Sequence, residues 1–241
     1  MTTPVYMVTA CVVAYLVGGI PFGYIIGRVV GGIDIRLHGS GNIGATNVGR
    51  VLGFRWGVAV LVPDALKGLL PVVVVSETMS LCVGSVEPGS VVVVHASVLV
   101  GLIAIVGHMC PCWIGLRGGK GVATSLGVVL VLAPWSTLAA VVVYGLTMVT
   151  SRLGSLGSLL AAVVFAIVQT VLMVSEGTWS EQWSLAVFTL AVPMMIIYRH
   201  RGNISRILRG EESRWGQGPG GEQSEADSSD GGELNRDPDA P

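Results

Sequence analysis

Apolar residues run along this chain in long blocks, and charged residues are scarce enough to mark where each block ends. Residues 1–27 carry no Asp, Glu, Lys or Arg. Residues 56–76 are apolar apart from Asp64 and Lys67, with Pro63 and Pro71 on either side of that pair. None of the four charged types occurs in 88–116, 121–151, 153–175 or 182–198. A helix crosses a bilayer with about 20 predominantly apolar residues, in a range of roughly 17–25. Five blocks suit one crossing each. The block 121–151 is long for one crossing and short for two, and Pro134 sits near its middle.

The excess of Lys and Arg in cytoplasmic loops decides between one crossing and two. Suppose 121–151 crosses twice, as a short hairpin turning near Pro134. Then Arg28, Arg36, Arg50, Arg55, Arg117, Lys120, Arg152, Arg199, Arg201, Arg206 and Arg209 all face one side. Glu77, Glu87, Glu176 and Glu181 all face the other. A single crossing sends Arg152 and the basic cluster at 199–209 to the acidic side. The expected fold is therefore an all-α, polytopic membrane bundle of about seven transmembrane helices, with the N-terminus outside and the C-terminus cytoplasmic. The first arm of the hairpin, about 121–133, falls short of a full crossing. The first basic residue, Arg28, follows the first apolar run, which is the pattern of an inserted first helix rather than a cleaved signal peptide.

Composition agrees. Charged residues make up 12% of the 241-residue chain, where a soluble domain carries roughly 25%. The 34 glycines are about twice the usual share, as suits close helix packing and backbone that cradles a ligand. The formal charge of −1 hides two regions: net +6 over 1–210 and net −7 over 211–241. Residues 1–210 are expected to form the membrane domain. Residues 211–241, rich in Gly, Ser, Pro and acids, are expected to be a disordered tail. Cys11, Cys82, Cys110 and Cys112 show no disulfide framework or zinc spacing and read as buried apolar cysteines.

Three polar segments fall on the expected cytoplasmic face. The first, GGIDIRLHGSGNIGATNVGR (31–50), offers glycine backbone, Ser40, Asn42, Asn47 and Arg50, the makings of an anion nest or of an ordinary turn-rich loop. The second, RGGKGVATSLG (117–127), sets three glycines around Lys120 before a helix start, which suits phosphate. It is not a nucleotide-hydrolysing P-loop, because Ile114 stands where its first glycine belongs and Gly121 follows the lysine. In the third, YRHRGNISRILRGEE (198–212), His200, Asn203 and Arg206 share one face if the helix continues. Anionic lipid is the alternative partner for that basic patch.

Asp64 and Lys67, three apart in a membrane helix, must face protein or water, and a structural role is the favoured reading. Ser155 and Ser158 open another helix, where they can cap, pack or donate to phosphate. The clusters fit a phosphorylated substrate met at the membrane surface. Composition ranks an enzyme level with a carrier for a phosphorylated metabolite, although carriers place their sites near the midplane between repeats.

The segments GGIPFGYIIGR, GGIDIRLHGSGNIGATNVGRVLG, PDALKGLLPV, GHMCPCWIGLRGGKGVATSLGV and HRGNISRILRGEE resemble, in order and over most of 18–212, the bacterial acyl-phosphate:glycerol-3-phosphate acyltransferase family. The resemblance implies transfer of a fatty acyl group from acyl phosphate to the 1-position of sn-glycerol 3-phosphate. The products would be lysophosphatidic acid and phosphate, in the first acylation of phospholipid synthesis at the cell membrane. It implies no metal, no cofactor and no nucleic-acid partner, contact with membrane lipid, and functional coupling to a soluble acyl-phosphate synthase. None of His38, His95, His108 or His200 is followed five residues later by an Asp, as the soluble-type acyltransferase motif requires.

By resemblance, Ser40, Gly41, Asn42 and Arg50 belong to the first active-site segment, and Gly118, Gly119, Lys120 and Gly121 to the phosphate-binding segment. Ser158 matches the family's helix-borne serine, with Ser155 as the alternative. His200 and Asn203 belong to the catalytic face, and Glu212 is the structural glutamate closing the last motif. Ser40, His200 and Asn203 are the expected catalytic residues. Asn203 or Asn42 is the expected oxyanion donor, and either His200 or a substrate phosphate is the base.

Overall fold

Each apolar block becomes helix, and the breaks between helices put the polar segments in place. The computed structural model describes residues 2–83, 86–87 and 90–216. Helix α1 (Thr3–Gly18) runs into α2 (Phe22–Gly31) across a break at Pro21, which has no N–H to continue the ladder. A glycine-rich loop leads to the short α3 (Ala45–Leu52), and then to α4 (Phe54–Val83), which carries both Pro63 and Pro71 inside it. At 30 residues α4 outruns the expected 56–76 at both ends. Helix α5 (Val91–Met109) ends in the loop that carries Lys120.

The hairpin at Pro134 is present. Helix α6 (Val122–Leu132) stops at Ala133, and α7 (Pro134–Ser151) begins with the proline at its first position, where a missing N–H is no loss. The Thr137 hydroxyl lies 2.8 Å from the carbonyls of both Val129 and Ala133 and supplies a donor at the broken end. Helix α8 (Gly154–Ser175) and α9 (Trp183–Arg199) follow, and α10 (Arg201–Leu208) bends away from α9 by 59° at His200.

Among the described residues there is helix and no strand. Five segments are long and apolar enough to cross a membrane, and the bent pair α9 and α10 makes a sixth when counted together. Helix α6 has 11 residues, about 16 Å at 1.5 Å per residue, and cannot cross a hydrocarbon core of about 30 Å. By length, then, the expected seven crossings become five or six with α6 as a partial one.

Helix α6 nevertheless sits deep against α4. A Cβ on Gly68 would lie 2.1 Å from the Thr124 carbonyl oxygen, and one on Gly127 would lie 1.9 Å from that of Ala65. Only glycine on both helices lets the backbones approach so closely. The main apolar core joins α5, α6, α8 and α9 around Ile105, Val128, Phe165 and Phe188. Leu, Val and Ile elsewhere on the helices point outward, as toward lipid. The cysteine reading is corrected: Cys82 and Cys112 are exposed, and Cys11 and Cys110 are half-buried. The expected tail divides as well. Residues 211–216 are described and packed on the bundle, and 217–241 lie outside the described residues.

Candidate active site

The three polar segments converge at one end of the bundle, and each is shaped by its own hydrogen bonds. In the first, Asn47 is buried and organises the loop before α3. Its Nδ2 donates to the carbonyls of Ile35, His38 and Asn42 at 3.3, 3.0 and 2.8 Å, and its Oδ1 accepts the Ser40 N–H at 2.8 Å. This fixes the loop that carries exposed Ser40 and half-buried Asn42. Asn42 Oδ1 accepts the Gly44 N–H at 2.7 Å, so its remaining donors are on Nδ2.

In the second segment, the Gly118 N–H donates to the Met109 carbonyl at 3.2 Å and the Gly119 N–H to that of His108 at 3.1 Å. These amides cap the C-terminus of α5 and are already engaged, so they cannot also serve a phosphate. Arg199 Nη2 clamps the carbonyls of Gly118 and Gly119 at 3.1 and 2.8 Å. A Cβ on Gly119 would lie 2.1 Å from His108 Nε2, so glycine is required for the loop to lie against α5. Gly121 then takes φ +85 at the start of α6 and turns Lys120 toward the bend between α9 and α10.

At that bend, His200 Nδ1 lies 2.8 Å from the Ile196 carbonyl. A carbonyl only accepts, so Nδ1 carries the proton and Nε2 keeps a lone pair. Lys120 Nζ donates to Asn203 Oδ1. Asn203 Nδ2 donates to Glu212 Oε1 at 2.7 Å, which also accepts the Ser155 hydroxyl at 2.7 Å, and Arg206 Nε donates to Glu212 Oε2 at 2.7 Å. Glu212 thus ties α8 to α10 and, through Asn203, to Lys120. The Ser158 hydroxyl bonds back to the Gly154 carbonyl at 2.9 Å. It is Ser155 that joins the carboxylate network.

Two cavities meet here. One, of about 380 Å³, runs between α6, α7, α8 and α9 and is walled by Leu126, Val129, Val141, Phe165, Val192 and Ile196. The other, of about 340 Å³, is polar and holds four cations: Lys120, Arg199, Arg201 and Arg206. Ser40, Asn42, Lys120 and Asn203 line both. Of the expected residues, Arg50, Gly121, Ser158 and His200 face the apolar cavity, Gly41 faces the polar one, and Gly118 and Gly119 line neither.

The electrostatics favour an anion. Arg50 Nη2 donates to the Ser213 carbonyl at 2.9 Å, and Arg50 Nε is buried with no hydrogen-bond partner among the described residues. Burial pushes the Lys120 ammonium down to about 8, with Glu212 opposing and Arg206, Arg199 and Arg50 adding to the fall. Burial also lowers Arg50. Glu212 is raised by burial but held below its ordinary value overall by its bonds to Asn203, Ser155 and Arg206. A dianion placed among these cations restores charge balance in a site of reduced dielectric. Sequence reasoning offers Asn47 only as a donor to an anion and gives Arg199 no part in the site, because a glycine-rich loop does not announce which amide or guanidinium holds it.

Comparison with known proteins gives the same answer throughout. The family model described as glycerol-3-phosphate acyltransferase matches residues 8–210. The glycerol-3-phosphate acyltransferase of Anaeromyxobacter sp. (strain Fw109-5) is 46% identical over 200 residues, covering 83% of this chain and 92% of that one. That of Myxococcus xanthus (strain DK1622) is 44% identical over 201 residues, covering 83% and 95%. Among solved structures, PlsY, an integral membrane glycerol 3-phosphate acyltransferase, is similar in its glycerol 3-phosphate form with a TM-score of 0.73. That match is 34% identical and covers 88% of this chain and 96% of that one. Its lysophosphatidic acid form is similar with a TM-score of 0.70. The chain that builds this basic, two-chambered site inside a helical membrane bundle belongs to the glycerol-3-phosphate acyltransferase family.

Proposed function

We propose that this membrane acyltransferase takes its acyl group from acyl phosphate and delivers it to the 1-hydroxyl of sn-glycerol 3-phosphate, giving lysophosphatidic acid and inorganic phosphate. The observation that carries the reading is the junction of the two cavities at Ser40, Asn42, Lys120 and Asn203. A phosphate fits the basin of four cations, and an acyl chain fits the apolar cavity. Their reacting ends then meet where the cavities join. The solved forms of PlsY with glycerol 3-phosphate and with lysophosphatidic acid are named for a substrate and a product of this kind.

In this reading the acceptor oxygen attacks the acyl carbonyl carbon, the bond from that carbon to the phosphate oxygen breaks, and phosphate leaves with the electron pair. Lys120, Arg50 and the free amides at the start of α6 hold negative charge, and Asn42 Nδ2 or Asn203 Nδ2 faces the developing oxyanion. Holding both reactants in line supplies most of the rate, roughly 7–11 kcal/mol in favourable cases. The basic end of the bundle lies in the cytoplasm of a bacterial cell, with the N-terminus outside. A soluble enzyme that makes acyl phosphate feeds it from that side.

The test is purified protein in lipid with radiolabelled glycerol 3-phosphate, offered palmitoyl phosphate or palmitoyl-CoA separately without added metal. Labelled lysophosphatidic acid from the acyl phosphate alone is expected. Product from palmitoyl-CoA alone would overturn the donor assignment. No product from either, in folded protein, would favour a carrier, and uptake of glycerol 3-phosphate would then be measured.

His200 orients the acceptor through its Nε2 lone pair, and a substrate phosphate takes the hydroxyl proton. His200→Gln is accordingly expected to lower kcat by about 10- to 100-fold, at or below the usual range for a lost general base. A fall to the level of membranes lacking the enzyme would make the imidazole the obligatory base.

A further inference from the structure

The residues after α10 leave the helix at Gly210, where φ is +73, and the Glu211 N–H closes the turn on the Arg206 carbonyl at 2.8 Å. The chain then crosses the mouth of the site instead of departing from it. Glu212 enters the carboxylate network already described, and the Ser213 carbonyl accepts Arg50 Nη2. The Trp215 N–H donates to the Arg152 carbonyl at 2.8 Å. Arg152 is a non-glycine residue at φ +59 in the turn between α7 and α8.

The Trp215 ring sets its Cη2–Cζ2 edge against the backbone of α3. A Cβ on Gly49 would sit 2.5 Å from its Cη2. Its edge meets the Phe54 ring at the start of α4, with centroids 6.3 Å apart and an interplanar angle of 86°. One side chain and its own amide therefore bind the segment to α3, α4 and the α7–α8 turn. Trp215 lies beyond the residues 8–210 that the family model matches.

We infer that Trp215 is a positioning residue: it pins residues 211–216 as a strap across the site, and so holds Glu212 on Asn203 and Ser155 and Ser213 on Arg50. Without the pin, the strap loses its aromatic contacts with α3 and α4. Glu212 then spends time off the network, the Asn203 amide and Arg206 lose their fixed partner, and Arg50 is freed. The groups that face Lys120 are Glu212, Arg206, Arg199, Arg50 and His200, and Glu212 is the one anion among them. Its withdrawal removes the charge that keeps the ammonium protonated.

The inference rests on the reading of this site as the place where glycerol 3-phosphate is held. The test uses the full-length protein in lipid, as wild type, Trp215→Ala and Trp215→Phe, with glycerol 3-phosphate kinetics from pH 6.5 to 9.5. Trp215→Ala is expected to raise KM for glycerol 3-phosphate about tenfold and to change kcat by less than about threefold. The alkaline limb of its kcat/KM profile is expected to move to lower pH. Trp215→Phe keeps an aromatic edge on Gly49 and Phe54 and the same backbone amide, and is expected within about threefold of wild type. Trypsin cleavage after Arg214 is expected to speed up in Trp215→Ala alone. A Trp215→Ala protein with wild-type KM, pH profile and cleavage rate would overturn the inference. So would loss of folded protein in both variants, which would make Trp215 a residue of general stability. Absence of product from the wild type would instead sink the reading of the site itself.

Discussion

Lys120→Met is expected to lower acyl transfer by about a thousandfold while leaving the protein folded. Removing a single donor from a preorganised oxyanion site costs on the order of 100- to 1,000-fold, and Lys120 does more than donate. It stands at the junction of the two cavities, where the proposed reading brings both substrate phosphates. It is the partner of Asn203 Oδ1, so its loss leaves a buried amide oxygen without a donor. Arginine does not replace it, because a planar fork cannot take the place of a compact ammonium aimed at one oxygen. Lys120→Arg is expected to retain only a few per cent of activity.

The same residue sets the alkaline limit. Burial and the neighbouring cations hold its ammonium at about 8, so the charge proposed to bind phosphate is present below that pH and lost above it. The kcat/KM for glycerol 3-phosphate is expected to fall about tenfold per pH unit above 8, and the Lys120→Met profile to show no such limb. Activity of Lys120→Met within tenfold of wild type, or an unchanged limb in that variant, would remove Lys120 from the phosphate site.

Much of this architecture is written in the spacing of charges. The apolar blocks, the hairpin at Pro134 and the shortness of α6 follow from where Arg, Glu and Pro interrupt the runs. The reading faltered where an outcome depends on partners far away in sequence. RGGKG reads as an anion loop because glycine amides before a helix bind anions. The amides of Gly118 and Gly119 are instead engaged with the end of α5, a contact no local pattern reveals. The spacing of His200 and Asn203 puts them on one face of a continuing helix. Both do face the site, but a 59° bend at His200 brings them there. By composition the segment EESRW belongs to an acidic tail, and only the family resemblance singles out Glu212. Yet Glu212 and Trp215 both have partners on the bundle, far away in sequence, and a composition window does not reveal them.

The second large effect concerns the membrane interior. Lys67→Met is expected to destabilise the bundle by about 3–5 kcal/mol, the usual cost of removing one partner from a buried ion pair. Lys67 Nζ lies 2.7 Å from Asp64 Oδ1, with both side chains 2% exposed, on successive turns of α4. The ammonium also donates to the Ile20 carbonyl at 2.7 Å and sits 5.5 Å from the centroid of the Phe22 ring. It thereby fastens the break between α1 and α2, where Pro21 interrupts the helix, onto α4. His108 Nδ1 approaches the same carboxylate oxygen at 3.7 Å, and the His108 carbonyl holds the Gly119 amide. Methionine fills the space of lysine but leaves the buried carboxylate without its cation, and an unpaired charge inside a membrane bundle is costly.

Removing both charges separates stability from chemistry. The Asp64→Asn/Lys67→Met double variant leaves no lone charge and is expected to recover more than half of the lost stability, since the penalty of the single variant lies in the orphaned partner. Thermal unfolding in detergent, with the folded yield after purification, reads this directly. Lys67→Met as stable as wild type would show that the pair does not hold the bundle. Asp64 also lines the apolar cavity, so the activity of the double variant carries separate information. Activity within about tenfold of wild type, in protein that has regained its fold, assigns the pair to the scaffold beneath the Lys120 loop. Loss of activity from a stable double variant would instead bring Asp64 into contact with the reactants, and the chemistry would then extend one helical turn deeper into the membrane than the junction at Lys120.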